Sequence, residues 1–270
     1  MAEYEEGRLE ELKEEIGDYW NGRATSYSNG VRGELGDNRH VVWKAALKRI
    51  ANDCLAAAER EGRSTSALDL GCGPGFFSIV LAELGCVVDA VDASSEMLDR
   101  AQANIQAAGY ENCVTLHESD VTSLPFEDAA FDVAACRNLT WLLLDPEAAY
   151  AEWLRVLRPG GKLLVFDANW YRYLVDPQID AARRADQENN VLEGWDEDSQ
   201  ATSDEEKRSE LIATELPMTY LLRPAWDLDV LPRLGATQVH ADELIWKELW
   251  TESEKVYYAS SPMFLVEAVK

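Results

Sequence analysis

The sequence predicts an α/β protein built on a doubly wound, mostly parallel seven-stranded sheet, with helices ahead of it and a helical insertion after the fifth strand. Three observations carry that expectation. From residue 66 to residue 168, short apolar runs bounded by turn residues alternate with longer amphipathic runs, the pattern of β-α-β units. The first strand, "SALDLG", opens into the glycine-rich turn "GCGPG" and then a helix-forming run, "FFSIVLAEL". Two further strands, "TQVHADELIW" and "MFLVEAVK", close the chain.

The elements follow in order. Residues 3–16 place Leu9, Leu12 and Ile16 at helical spacing, and after "GDYWNGRATSYSNG" a second helix is expected over 38–60, with Val42, Ala46, Ile50 and Leu55 on one face. The second strand is "CVVDAVDA". Ser94 then caps a helix whose Leu98, Ala101 and Ile105 share a face, and Gly109 ends it. "CVTLHESD" and "FDVAACR" are the third and fourth strands. Asp145-Pro146 supplies an N-cap and a first-turn proline for a helix with Tyr150, Trp153, Leu154 and Leu157 on its apolar face. "RPGG" stops that helix, and "KLLVFDA" is the fifth strand. Regularity ends at Asn169. Aromatics (Trp170, Tyr171, Tyr173) precede an acidic stretch with Trp195 at its centre, which reads as a helical insertion with one solvated loop. Four parts result: a helical cap at 1–60, a core at 61–168, a lid insertion at 169–225, and strands completing the core at 226–270.

Fifty acidic residues against twenty-five basic ones give a net charge of −25. A protein that follows phosphates needs a basic stripe, so nucleic acid and anionic membrane surfaces are excluded as partners. Solvation explains most of this charge, and steering of a cationic substrate is the sharper alternative. No apolar run approaches the roughly 18–20 residues of a membrane span, and the acidic start is unlike a signal peptide, so a cytoplasmic location is expected. The five cysteines (Cys54, Cys72, Cys86, Cys113, Cys136) lie scattered in apolar segments with no CxxC pair, and neither disulfides nor a metal site is expected.

The glycine turn narrows the ligand. A nucleoside-triphosphate loop needs Lys-Ser/Thr after its last glycine, and Phe76-Phe77 stand there instead. The dinucleotide fingerprint G-x-G-x-x-G would need its third glycine at Phe76; the chain has Gly71, Gly73 and Gly75. Asp69, just before the turn, is a poor neighbour for pyrophosphate and a good one for an ammonium group. Asp92 ends the second strand, where an acidic residue accepts bonds from ribose hydroxyls. Asp120 ends the third, placed to accept from an adenine amine. Ribose, adenine, a cationic tail and no phosphate describe S-adenosylmethionine.

The stretches "LDLGCGPGFFSIVLAELGCVVDAVDASSEML", "ESDVTSLPFEDAAFDV" and "DPEAAYAEWLRVLRPGGKLLVFD" resemble class I S-adenosylmethionine-dependent methyltransferases, in particular the branch with ubiquinone/menaquinone C-methyltransferases. The resemblance covers about residues 66–168, with a weaker likeness in "YWNGRATSY". It implies a Rossmann-like sheet and assigns roles. Asp69, Gly71, Gly73 and Gly75 would surround the methionine part of the cofactor, and Asp92 the ribose. Ala93 and Met97 would pack on adenine, with Asp120 on its amine beside Val121. Cys136, Arg137 and Asn138 would face the methionyl portion, while Trp20, Arg23 and Tyr27 fold over it. The product would be S-adenosylhomocysteine.

Catalysis is less legible, because displacement at a sulfonium already has a good leaving group and asks mainly for alignment and exclusion of water. No [DNS]-P-P-[YFW] follows the fourth strand, where "RNLTW" stands; this removes the signature of methylation at exocyclic amines of bases. Candidate catalytic residues are His40, Tyr27, Asn138 and Tyr171, His117 and His240 being read as structural. Thr140, Trp141, Asn169 and Trp170 also stand at strand ends on the substrate side. The insertion reads as a lid sized for a small-molecule acceptor. A non-catalytic S-adenosylmethionine- or metabolite-binding protein of the same fold is the alternative.

Overall fold

The computed structural model describes residues 7–188 and 200–270. Three helices lead in: α1 (Arg8–Gly36), α2 (Asn38–Ile50) and α3 (Asn52–Arg60). The alternating core follows as β1 (Ser66–Leu70), α4 (Phe76–Glu83), β2 (Val87–Asp92), α5 (Ser95–Ala108), β3 (Val114–Glu118), β4 (Phe131–Arg137), α6 (Pro146–Val156) and β5 (Leu157–Asp167). Helices α7 (Pro177–Glu188), α8 (Ser203–Glu215) and α9 (Ala225–Arg233) come next, then β6 (Thr237–Asp242), α10 (Trp246–Leu249), α11 (Glu252–Tyr257) and β7 (Phe264–Val269).

One seven-stranded sheet has the order β3-β2-β1-β4-β5-β7-β6. All pairs are parallel except those made by β7, which runs antiparallel to both β5 and β6. The order reverses between β1 and β4, and in open α/β sheets the crevice at that switch point, beyond the carboxyl ends of the strands, is where ligands sit. Central strands β1 and β4 are apolar on both faces because each face is covered, one by α2 and α4, the other by α6 and α9. Element ends follow from capping. Ser94 Oγ accepts from Met97 N at 3.1 Å, Asp145 Oδ1 from Ala148 N at 3.1 Å, and Gly109 closes α5 in the left-handed region.

The N-terminal part differs from its sequence reading. Helix α1 runs unbroken through "GDYWNGRATSYSNG", the stretch expected to separate two helices. Its small polar residues are a face, not a break. Asn21 Oδ1 accepts from Ser94 Oγ (2.7 Å), Thr25 Oγ1 from Arg100 (3.0 Å) and Ser28 Oγ from Asn104 Nδ2 (3.1 Å), so three successive turns dock on α5 and its cap. The helix expected over 38–60 is two helices, because Lys162 Nζ takes the Ile50 carbonyl at 2.8 Å and the chain turns at Ala51. Strand β6 stops at Asp242, and the connection to β7 carries α10 and α11. Trp195 and residues 3–6 lie outside the described residues. Among the described residues no helix is long and apolar enough to cross a membrane.

A buried charge cluster fixes the loops beyond β4 and β5. Arg223, 4% exposed, holds Asp227 through Nε (2.8 Å) and Nη2 (2.6 Å), and Tyr150 Oη accepts from the same Nη2 at 2.9 Å. Its Nη1 reaches the Thr140 hydroxyl, which in turn donates to Asp167. Asn169 completes the tie by donating to the Arg223 carbonyl at 2.9 Å. Replacing Arg223 by Met leaves Asp227 and Asp167 buried without their cation, so a loss of about 3–5 kcal/mol is expected, read as a fall of roughly 10 °C in melting temperature.

Asp69, at the end of β1, is 2% exposed and accepts from Ser78 Oγ on α4 at 2.6 Å. Burial pushes its carboxyl up to about 7, the hydroxyl of Ser78 only partly opposing it. A carboxyl raised in the folded state favours folding below the unfolded pKa of about 4, and that contribution is lost as pH rises through about 7. Urea unfolding between pH 4 and 8 is therefore expected to show a decline in stability that Asp69→Asn flattens.

Candidate functional site

The turn after β1 holds Gly71, Gly73 and Gly75 in left-handed backbone, and the first and last of these are also packed against neighbours. Gly71 has φ +60°, and a Cβ there would strike Leu139 Cδ1 at 2.5 Å. Gly75, at φ +89°, starts α4 against Ala101, whose Cβ a Gly75 side chain would meet at 3.4 Å. Between them the peptide N–H of Gly73 points at Asp92, donating to Oδ2 at 2.8 Å, while Oδ1 accepts from Ser94 N at 2.9 Å. Asp92 thus clamps the turn of one strand to the end of the next. Burial pushes its carboxyl up, with the N–H groups of Ser94 and Gly73 pulling the other way.

Beyond the strand ends lies a cavity of about 930 Å3. Its floor is the glycine turn and Asp92, one side is Ala93, Met97 and Val121, and its roof is the first half of α1 with Trp20 and Tyr27. Asp120 stands at the edge, its Oδ1 accepting from Thr122 N (2.8 Å) and Oγ1 (2.7 Å). A second cavity of about 340 Å3 lies under the other half of α1, walled by aromatics such as Trp43, Trp141, Trp170, Tyr171 and Tyr258. Trp20, Tyr27, Arg137 and Asn138 line both, so the two chambers share one wall.

Most sequence-selected residues meet there. Gly71, Gly73, Asp92, Ala93, Met97, Asp120, Val121, Arg137, Trp20 and Tyr27 all line the larger cavity, and Asn138 and Tyr171 line the smaller. Arg137 is held by Glu34 (Nη1 to Oε2, 2.8 Å) with its guanidinium 4.2 Å from the Phe76 ring centroid. Burial raises the phenols of Tyr27 and Tyr171, so both stay protonated at neutral pH.

Four residues are placed differently. Asp69 faces α4 and Ser78 and lines neither cavity, because the carboxylate alternates to the inner side of the strand. Gly75 is buried in helix packing. Cys136 points into the core beneath β4. Arg23 lines the smaller cavity, its Nη1 donating to the Gln200 carbonyl at 3.0 Å. Among catalytic candidates, His40 lines neither chamber; its Nδ1 lies 2.8 Å from the Asp37 carbonyl at the start of α2. His117 pairs with Asp89 at 2.6 Å and His240 with Glu267 at 3.0 Å, both away from the cavities. Sequence reasoning missed Trp43, Arg39, Trp250 and Tyr258. The density of aromatics in "WKELWTESEKVYY" was the available signal for the last two.

The donor set tests which ligand the larger chamber fits. Phosphates would need the turn's N–H groups, yet the Gly73 N–H is already held by a carboxylate. Open space at Gly73, where a Cβ would meet only Tyr27 Cε1 at 3.8 Å, leaves a cradle beside that carboxylate. A nucleoside without phosphates fits this arrangement.

Residues 68–165 match the family described as a methyltransferase domain. The malonyl-[acyl-carrier protein] O-methyltransferase of Erwinia billingiae is 37% identical over 120 residues, 44% of this chain and 45% of that protein. The demethylmenaquinone methyltransferase of Clavibacter sepedonicus is 36% identical over 124 residues, 46% of each. The chain spans about half the length of the curated relatives it matches. Among solved structures, an S-adenosylmethionine dependent methyltransferase from Mesorhizobium loti superposes with a TM-score of 0.52 at 20% identity, covering 77% of this chain and 91% of that one. Phosphoethanolamine N-methyltransferase 2 from Haemonchus contortus gives 0.51 at 19%, covering 81% and 52%. At such identities the structural likeness concerns the fold. Residues 68–165 thus carry a methyltransferase domain, on a fold shared with S-adenosylmethionine-dependent methyltransferases.

Proposed function

We propose that the protein transfers a methyl group from S-adenosylmethionine to a small-molecule acceptor, with the cofactor in the larger cavity and the acceptor in the smaller. The observation that carries this reading is the Asp92 clamp, which takes the Gly73 N–H from any phosphate and leaves carboxylate lone pairs facing a nucleoside-sized space. Asp92 is assigned to the ribose hydroxyls, Asp120 to the adenine amine, and Ala93, Met97 and Val121 to the adenine faces. Gly71 and Gly73 let the methionine part approach the backbone. When bound, the cofactor supplies a methyl group already activated by a sulfonium and a neutral thioether as leaving group.

The chain's own residues then align and enclose. Trp20 and Tyr27, at the wall between chambers, exclude water and set the line of approach, and Asn138 faces the same junction. Tyr27, protonated because it is buried, acts there as a hydrogen-bond donor rather than a base. The names of two relatives, a demethylmenaquinone and a phosphatidylethanolamine methyltransferase, support a small-molecule acceptor, and a third acts on a malonyl group carried by a protein. The net charge of −25 supports an enzyme that does not engage nucleic acid.

Calorimetric titration with S-adenosylhomocysteine is expected to give saturable one-site binding, with none for NAD. Asp92→Ala should weaken it at least about tenfold, since two strand ends lose their clamp and the ribose its acceptor. No binding by the wild-type chain would sink the cofactor assignment. Tyr27→Phe is expected to lower turnover about tenfold while leaving S-adenosylhomocysteine affinity within about threefold, a split that steady-state kinetics beside the titration would read.

A further inference from the structure

On the methyltransferase reading above, we propose that the smaller cavity selects an acceptor with a flat, apolar body and a carboxylate end, and rejects a cationic amine of the same shape. Folded interiors leave few buried polar atoms unpaired, and each exception points to strain or to something that binds. Among the described residues six buried side-chain polar atoms lack a hydrogen-bond partner. One of them, Arg158 Nη1, is ion-paired with Asp132 at 2.9 Å. The other five are Trp20 Nε1, Arg23 Nε, Arg39 Nη1, Trp170 Nε1 and Asn138 Oδ1, and every one belongs to a residue lining this chamber, Trp20 and Asn138 standing on the wall it shares with the larger one.

Four of the five are donors. Arg23 and Arg39 are 6% and 8% exposed. Each spends one nitrogen on nearby partners, Arg23 on the Gln200 carbonyl and on Glu205 at 3.5 Å and Arg39 on Asp37 at 2.6 Å, and keeps another without a hydrogen-bond partner. The carboxylates of the same wall are already engaged. Glu34 holds Arg137 at 2.8 Å, Glu210 accepts from Tyr173 Oη at 2.7 Å, and Glu254 accepts from Thr251 N and Oγ1 at 2.7 and 2.8 Å. Glu206 lines the chamber from an exposed position at its rim. Glu34 is thus paired with a cation and Glu210 and Glu254 are hydrogen-bonded, whereas four donor atoms of the same wall have no hydrogen-bond partner.

The chemistry of that guest follows. Two guanidinium nitrogens and two indole N–H groups satisfy oxygens, and a carboxylate offers lone pairs in the plane an arginine favours. A cationic amine would leave all four donors unpaired and add a like charge beside Arg23 and Arg39. The rings of Trp43, Trp141, Trp250 and Tyr258 supply flat walls, and about 340 Å3 accommodates one or two fused rings. Bulk charge would favour a cation at long range, so discrimination rests on these close donors rather than on steering.

The test uses the full chain preloaded with S-adenosylhomocysteine, titrated calorimetrically with naphthoate and with naphthylmethylammonium. Naphthoate is expected to bind at least about tenfold more tightly than the ammonium. Trp170→Phe keeps a ring and removes one donor, and should cost naphthoate about fivefold; Arg39→Gln should cost about tenfold, with melting curves confirming that both variants are folded. Equal or tighter binding of the ammonium overturns the proposal. So does naphthoate affinity that neither variant changes, or binding of S-adenosylhomocysteine with no binding of naphthoate. Naphthoate selectivity in a chain that does not bind S-adenosylhomocysteine upholds the donor-lined chamber and overturns the methyltransferase reading instead.

Discussion

A single carboxylate holds the architecture of the site together. Asp92 accepts from the peptide of Gly73 on one side and from Ser94 on the other, so the turn leaving β1 and the cap of α5 are fixed to the same two oxygens. The sheet order makes this possible, since β2 lies beside β1 and its carboxyl end arrives next to the turn. Gly71 bends the chain where Leu139 leaves no room for a side chain, and Gly75 brings α4 onto α5. Without the clamp, the floor of the larger cavity has no reason to keep its shape.

The second support is the Arg223 cluster, on the opposite side of the switch point. It joins the loop after β4, the loop after β5 and α9 through Thr140, Asp167, Asn169 and Asp227. These loops carry Asn138, Trp141, Trp170 and Tyr171, the aromatic side of the smaller chamber. Charges buried this way are costly unless fully paired. Asp167 stands three residues before Trp170, and its partner Thr140 lies between Asn138 and Trp141, which ties that cost to the precision of the chamber.

The sheet and the glycine turn were legible because their signals are local. "LDLGCGPG", Asp92 at its strand end, the Ser94 cap and Asp145-Pro146 each sit in one short stretch, and periodicity fixes the rest. Asp92 and Asp120, which line the larger cavity, can be read from strand ends, and Ala93, Met97, Trp20 and Tyr27 from the resemblance. Less was legible where the deciding partner lies far along the chain. The glycines and asparagine of α1 look like a break, and only α5, some 75 residues on, turns them into a docking face. His40 looked suitable by its proximity to the capping segment, but nothing in the sequence says that its ring turns toward Asp37. The smaller chamber draws on α1, α2, the strand-end loops and α10–α11 at once, a convergence no single window can display.

Helix α1 is one 29-residue rod, about 43 Å long at an α-helical rise, and it covers both chambers along its length. A rod has few ways to move. Any displacement of it as a rigid body would lift the residues over the larger cavity together with those over the aromatic one. Access to the two spaces would then be mechanically linked, with no separate door for either.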